Sequence, residues 1–241
     1  MPDATNGAGR PLVSVVVPVF NEAATVGQVV DELLALDLRL EVLLVDDGST
    51  DDSPRELARL AERHGEVKVL TQPRNRGKGA AVRRGITEST GDILLIQDAD
   101  LEYSPADIPA LIDPLLSGKA DAVFGTRLRG GAHAQRAHLF WHYAGNRFLT
   151  LLSNVLYNTT ISDMEVGYKA FRGELVRGLT LISDDFRIEP ELTAKILRLG
   201  PGIRLYEVPI SYYGRSYAEG KKITWRDGFG AVGALVRFRF F

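Results

Sequence analysis

The sequence predicts an α/β protein with a mostly parallel central sheet and helices on both of its faces. Three observations carry this. Runs rich in β-branched and other apolar residues, such as 13–19 and 93–96, read as strands buried on both sides. Segments with apolar residues at helical spacing lie between them. The alternation continues through residue 124, the pattern of βαβ units rather than of hairpins.

Val13 to Val19 is the first strand and runs into Phe20-Asn21-Glu22. Asn21 is placed to cap a helix carrying Val26, Val29, Val30, Leu33 and Leu34. Glu41 to Val45 is a second strand leading into Asp46-Asp47-Gly48-Ser49-Thr50-Asp51, and Pro54 to Arg63 a helix with Ser53 as its cap. Val67 to Leu70 is a strand, Lys78 to Ile86 a helix, Ile93 to Ile96 a strand, Pro105 to Leu116 a helix and Ala120 to Phe124 a strand. The second half is less regular. Residues 134–157 read as a long apolar and aromatic helix, 162–172 as a loop entering an extended segment, 189–199 as a helix and 203–209 as a strand. Residues 1–11 form a loose arm. Residues 223–241 form an amphipathic tail, with Trp225, Phe229, Val232 and Val236 spaced for one face and Arg226, Arg237 and Arg239 interspersed.

Composition narrows the function classes. With 241 residues, 45% hydrophobic and 25% charged, the chain has the make-up of a soluble globular protein. A net charge of -2 gives no global signal for nucleic acid. The absence of cysteine excludes disulfides and thiolate metal sites. Residues 1–10 lack the apolar core of a signal peptide, and no apolar stretch approaches the ~20 residues of a spanning helix. A cytoplasmic location is therefore expected.

In open parallel sheets ligands bind beyond the carboxyl ends of the strands. The polar clusters Phe20-Asn21-Glu22, Asp46-Asp47-Gly48-Ser49, Asp98-Ala99-Asp100 and Gly125-Thr126-Arg127 all follow predicted strands. Asp98 and Asp100 are one residue apart, so an extended backbone turns both carboxylates the same way. Alone the tripeptide reads as a solvated turn or as a site for a hard cation such as Mg²⁺ or Mn²⁺. Arg74-Asn75-Arg76-Gly77-Lys78-Gly79 opens a helix and suits either a phosphate or a plain basic cap. Gly228-Phe229-Gly230-Ala231-Val232-Gly233 has the letters of a dinucleotide fingerprint but begins no βαβ unit, so its glycines are expected at close-packing or bending positions. His138 and His142 are one helical turn apart without the other residues of a zinc site. The loop from Tyr212 to Lys222 mixes cations with small residues and suits closure over an anion.

In this order and spacing, Val17-Pro18-Val19-Phe20-Asn21-Glu22, Val45-Asp46-Asp47-Gly48-Ser49-Thr50-Asp51, Asn75-Arg76-Gly77-Lys78-Gly79, Gln97-Asp98-Ala99-Asp100-Leu101-Glu102, Gly125-Thr126-Arg127 and Glu207-Val208-Pro209-Ile210-Ser211 resemble the inverting family 2 glycosyltransferases. Among these the chain looks most like the dolichol-phosphate mannose synthase branch. The resemblance spans residues 12–222. It implies a GT-A fold, a Rossmann-like three-layer sandwich, with a nucleotide-sugar half over 12–127 and an acceptor half over 128–222. It implies metal-dependent transfer of a hexose from a GDP-mannose or UDP-glucose type of donor to a polyprenyl or dolichyl phosphate. Pro18, Phe20, Glu22, Val45 and Asp47 would then line the base and ribose. Asp98 and Asp100, with Glu102 nearby, would hold Mg²⁺ or Mn²⁺ on the diphosphate beside the Ala99 backbone. Lys78, Arg127, Arg215 and Lys221 would meet phosphate.

One departure matters. Asp163-Met164-Glu165-Val166-Gly167-Tyr168 stands where mannose synthases tend to have Asp-x-Thr-Ser-Gly-Phe. A phosphate acceptor is already an anion, whereas a hydroxyl acceptor needs a general base, and Asp163 or Glu165 would serve. A lipid acceptor would suit membrane contact through 134–157 and 224–241 at the cytosolic face. A soluble hydroxyl acceptor, or nucleotide-sugar binding without turnover, are the alternatives.

Overall fold

The computed structural model describes residues 9–129, 140–215 and 225–240, with only the backbone given for 225–227. Its centre is a seven-stranded sheet of β1 (Leu12–Val19), β2 (Arg39–Asp46), β3 (Val67–Thr71), β4 (Ile93–Ile96), β5 (Ala122–Thr126), β6 (Lys169–Arg172) and β7 (Leu205–Pro209). The order is β3-β2-β1-β4-β6-β5-β7, parallel throughout except for β6, which runs against both β4 and β5. Strands in the middle of such a sheet are covered on both faces, which is why β1 and β4 read as apolar runs rather than as alternation.

The helices are α1 (Val26–Leu34), α2 (Ser53–Arg63), α3 (Lys78–Glu88), α4 (Ile108–Leu116), α5 (Phe140–Tyr157), α6 (Gly173–Arg177), α7 (Ile188–Arg198) and α8 (Trp225–Phe240). One continuous core joins the sheet to α1, α2, α3 and α4 through residues such as Val29, Leu33, Leu57, Leu60, Val82 and Leu111. Each such side chain contributes roughly 1.5–3 kcal/mol on burial. A smaller cluster of Leu149, Ile161, Met164, Ala231 and Leu235 holds α5 to α8.

The predicted strands and helices reappear, several with shifted ends, while 134–139 of the expected long helix and 1–8 of the expected arm lie outside the described residues; several details differ for physical reasons. Asn21 does not cap α1. It adopts φ +55, and its Oδ1 accepts from the Thr50 amide at 2.8 Å. Ser53 lies inside α2, behind Asp52 at the cap position, and its hydroxyl accepts from the Glu22 amide at 2.9 Å. Both polar side chains thus tie the loop after β1 to the loop after β2. Residues 105–107 form a 3-10 turn ahead of α4, and α6 was not anticipated. In α8 the buried face is Ala231, Ala234, Leu235 and Phe238, while Phe229 and Val236 are exposed. The tail's expected apolar face is therefore rotated. A side chain at Gly228 or Gly233 would meet nothing within 4 Å, so these two are not close-packing positions.

Below β1, away from the rim, buried Glu41 accepts from Ser14 Oγ, from Lys68 Nζ at 2.8 Å, and from Thr90 N at 2.9 Å. Burial alone would raise its pKa, but these donors hold it at about 2. Because the folded-state value lies below the unfolded one, this stabilisation is present above the unfolded pKa and is lost as pH falls towards 2. Glu41→Gln is expected to cost about 1–3 kcal/mol in urea unfolding at pH 7. The gap to wild type should narrow as pH falls from 5 to 3.

Candidate functional site

β1 pairs with β2 on one side and β4 on the other, and the chain moves outward through β2 and β3 before returning to β4. Such a reversal opens a crevice between the carboxyl ends of β1 and β4. A cavity of about 730 Å³ lies there, within the usual range for small-molecule sites. Pro18, Phe20 and Glu22 line it from β1, Lys78 from α3, Asp98, Ala99, Asp100 and Glu102 from the loop after β4, and Arg127 from the end of β5. Asp47, Glu165 and Arg215 also line it. The antiparallel course of β6 places the loop before Lys169 on this same rim, since Lys169 pairs with Ile96 and Phe124.

The carboxylates are crowded and unevenly compensated. Lys78 Nζ lies 2.7 Å from Asp98 Oδ1 and 3.0 Å from Glu189 Oε1. Glu189 in turn pairs at 2.5 Å with Lys169, which is fully buried and also donates to the Val166 and Met164 carbonyls. These four residues form a row of alternating charge beneath the cavity. Burial opposes a charge on Lys78, yet its two carboxylate partners raise its pKa. Asp100 is pushed up to about 7, by burial first and then by Asp98 and Glu102. Asp98 Oδ2 packs so close to Gly167 that a Cβ there would be 2.7 Å away. Glu102 lines the cavity beside Asp100, and both of its oxygens accept hydrogen bonds. Its Oε2 accepts from the Tyr212 hydroxyl at 3.0 Å and its Oε1 from the Arg215 amide at 2.6 Å. It braces the segment 211–215, whose Arg215 guanidinium reaches Glu22 at 3.1 Å.

On the other side Asp163 is committed to Arg127. The guanidinium donates through Nε at 2.7 Å and Nη2 at 2.8 Å, and the Arg127 amide adds a bond at 3.0 Å. Burial would raise the Asp163 pKa, but Arg127 and Asn146 hold it low. Asp163 thus anchors Arg127, and it does not line the cavity. Arg127 also stacks over Tyr212 at 5.0 Å, and Tyr103 stacks on Tyr168 at 4.8 Å. Tyr103 accepts from the Gly167 amide at 3.0 Å and so fixes the loop that carries Glu165. Glu165 is half-buried, and its Oε1 has no hydrogen-bond partner among the described residues. Burial lifts its pKa to about 7, a value suited to taking a proton at neutral pH.

The other expectations sort as follows. Val45 is buried in the core and does not line the cavity. Asp47 does line it, but its oxygens accept from Gln72 Nε2 at 2.8 Å, Arg76 N at 2.9 Å and Gly77 N at 2.7 Å. The amides before α3 therefore already hold an internal carboxylate. Lys221 and His138 lie outside the described residues; His142 lines the cavity. No group of three His, Asp or Glu side chains able to hold a metal is found among the described residues. Asp98 and Asp100 are the two carboxylates that could hold a cation there, and one or two carboxylates completed by phosphate oxygens is how magnesium is commonly held. Lys169, Glu189, Asn146 and Tyr212 escaped the sequence reading. Asn146 and Glu189 carried one signal, a polar residue set among apolar ones at helical spacing; Lys169 carried none.

Fold and site define a Rossmann-like α/β protein with an acidic, cation-flanked pocket at the carboxyl ends of its strands. The chain belongs to glycosyl transferase family 2, whose model matches residues 14–179. It is 31% identical over 220 residues to the undecaprenyl-phosphate 4-deoxy-4-formamido-L-arabinose transferase of Pseudomonas aeruginosa, covering 89% of this chain and 61% of the relative. It is 29% identical over 213 residues to the dolichol-phosphate mannosyltransferase of Pyrococcus furiosus, covering 87% and 58%. The chain therefore spans about three-fifths of the length of these relatives. The fold is GT-A, as in glucosyl-3-phosphoglycerate synthase from Mycobacterium tuberculosis, solved with Mn²⁺, uridine diphosphate and phosphoglyceric acid (TM-score 0.73, 22% identity, 97% of this chain and 80% of that one).

The charge on Asp100 has a measurable consequence. Its folded pKa lies above the unfolded value, so its ionisation destabilises the fold as pH rises towards and past 7. In metal-free buffer Asp100→Asn is expected to raise Tm at pH 8 and to change it much less at pH 5. A rise of about 2–4 °C corresponds to 1 kcal/mol for a chain of this size.

Proposed function

We propose that this chain transfers a hexose from a GDP- or UDP-sugar to a polyprenyl or dolichyl phosphate. The observation that carries the reading is the meeting, in one cavity, of an acidic pair with three cations, Lys78, Arg127 and Arg215. A pocket with those charges suits a nucleotide diphosphate held through a divalent ion. The acidic pair fits Mg²⁺ or Mn²⁺, since its donors are oxygens and Asp100 forms no ion pair among the described residues. When bound there, the ion supplies Lewis-acid stabilisation to the leaving diphosphate.

The chain's own residues do the rest. Pro18, Phe20 and Glu22 flank the base and ribose, while Asp47 fixes the turn that presents Lys78. Lys78 and Arg215 balance charge that develops on the departing diphosphate. Arg127, held in one orientation by Asp163, faces the acceptor phosphate. Most of the donor site comes from residues 12–127, with Arg215 reaching it from the acceptor half, 128–222. Trp141, Phe148, Leu151 and Val155 make an exposed stripe along α5, and Phe229 and Phe240 are exposed on α8 near Arg237 and Arg239. That combination suits peripheral contact with the cytosolic membrane face. No described helix is long and apolar enough to cross a membrane.

Glu165 favours a second reading. Its unpartnered oxygen and its pKa near 7 suit a base for a hydroxyl acceptor, a role the phosphate acceptor does not require. One transfer assay with both acceptor types separates the two. Asp98→Asn is expected to lower transfer to either acceptor by about 100-fold or more. Glu165→Gln should leave transfer to a lipid phosphate close to wild type. Transfer to a hydroxyl acceptor that falls by about 100-fold in the same variant would favour the hydroxyl chemistry instead. Metal-dependent transfer surviving intact in Asp98→Asn would overturn the donor site.

A further inference from the structure

Lys78 sits where a metal would compete with it. Its Nζ holds Asp98 Oδ1 at 2.7 Å, while Asp98 Oδ2 packs against Gly167. Lys78 therefore already occupies one of the two Asp98 oxygens a cation would use. Asp100, by contrast, accepts from the Glu102 amide at 3.1 Å and forms no ion pair among the described residues. The pair is thus half-neutralised by the protein itself.

The other end of the arrangement is rigid. Glu189 Oε1 lies 3.0 Å from Lys78 Nζ, and its Oε2 is held at 2.5 Å by Lys169. Lys169 is fully buried in β6 and tied to the Met164 and Val166 carbonyls, so Glu189 has little freedom to move. Lys78 has more. It is the first residue of α3, its ammonium is reached by a flexible four-carbon stem, and it borders the cavity. A single ammonium therefore stands between one anchored carboxylate and one functional carboxylate.

We propose that Lys78 is a built-in counter-ion that a divalent cation must displace from Asp98, with Glu189 retaining it beside the cavity for the donor's diphosphate. This rests on the metal site proposed above. A divalent ion at Asp98 and the Lys78 ammonium repel each other at close range. Glu189 offsets part of that repulsion, and an incoming diphosphate offsets more, because its oxygens face both cations. Metal alone then binds weakly, and metal with diphosphate binds well. By linkage each strengthens the other to the same degree. Lys78 makes the site respond to the complete metal–nucleotide pair rather than to free metal.

Mn²⁺ titration followed by calorimetry or by loss of the free-ion EPR signal tests this without turnover. It is run on the full chain, alone and with saturating GDP or UDP. Lys78→Met is expected to bind Mn²⁺ alone about tenfold or more tightly than wild type, with less further gain from the diphosphate. Glu189→Gln is expected to act in the opposite sense, since Lys78 then has only Asp98. Opposite shifts from two neighbouring variants are not produced by general loosening of the site. Lys78→Met binding Mn²⁺ no better than wild type, or Glu189→Gln binding it more tightly, would overturn the proposal while leaving the metal site intact. If no Mn²⁺ binds to any of the three proteins even with GDP or UDP, both the metal site and this role for Lys78 fall.

Discussion

Two carboxylates set one residue apart at the end of a buried four-residue strand repel each other, and the rest of the site is arranged around that repulsion. Charge removed from bulk water is costly unless it is paired. Here the pairing is partial. Lys78 answers Asp98, while Glu102 is turned away to Tyr212 and Arg215, and Asp100 is left with its pKa lifted to about 7. Under the proposed function, this under-compensated acidic pair would receive a cation that arrives with the donor. Strain of this kind is tolerated because the sheet beneath is well packed.

The reversed strand β6 is the second constraint. In a wholly parallel sheet the loop leading into a strand lies on the face opposite the ligand rim. Because β6 runs against β4 and β5, its leading loop brings Asp163 and Glu165 to the rim, and its first residue, Lys169, reaches Glu189. The loop after β4 and the start of β6 therefore share one floor of alternating charge. The clasp between Glu102 and residues 212–215 closes the opposite wall.

Much of this was legible in the sequence. β-Branched runs and helical spacing gave the α/β class and nearly all elements of the first half, and the rim clusters at strand ends gave the place of the site. Asp98, Asp100, Lys78, Arg127 and Arg215 all reach the cavity as expected. What was not legible depended on contacts distant in sequence. Nothing local marks Glu102 as a partner of Tyr212 and Arg215, 110 and 113 positions away, or Asp163 as the partner of Arg127. Asn21 and Ser53 fit the composition of helix caps, and only the neighbouring rim loops redirect them. Val45 follows the motif but points into the core. Strand direction, which decides where Glu165 lies, leaves no mark in a four-residue segment.

The central claim is that the crevice between β1 and β4 holds a nucleotide diphosphate through a divalent ion at Asp98 and Asp100. Thermal shift with GDP- and UDP-sugars, in Mn²⁺ and in EDTA, tests it most directly, because stabilisation follows occupancy. The account predicts a rise in Tm with one of the two nucleotide types that requires Mn²⁺ and is lost in Asp98→Asn. An equal rise in EDTA, or one that survives in Asp98→Asn, would contradict it.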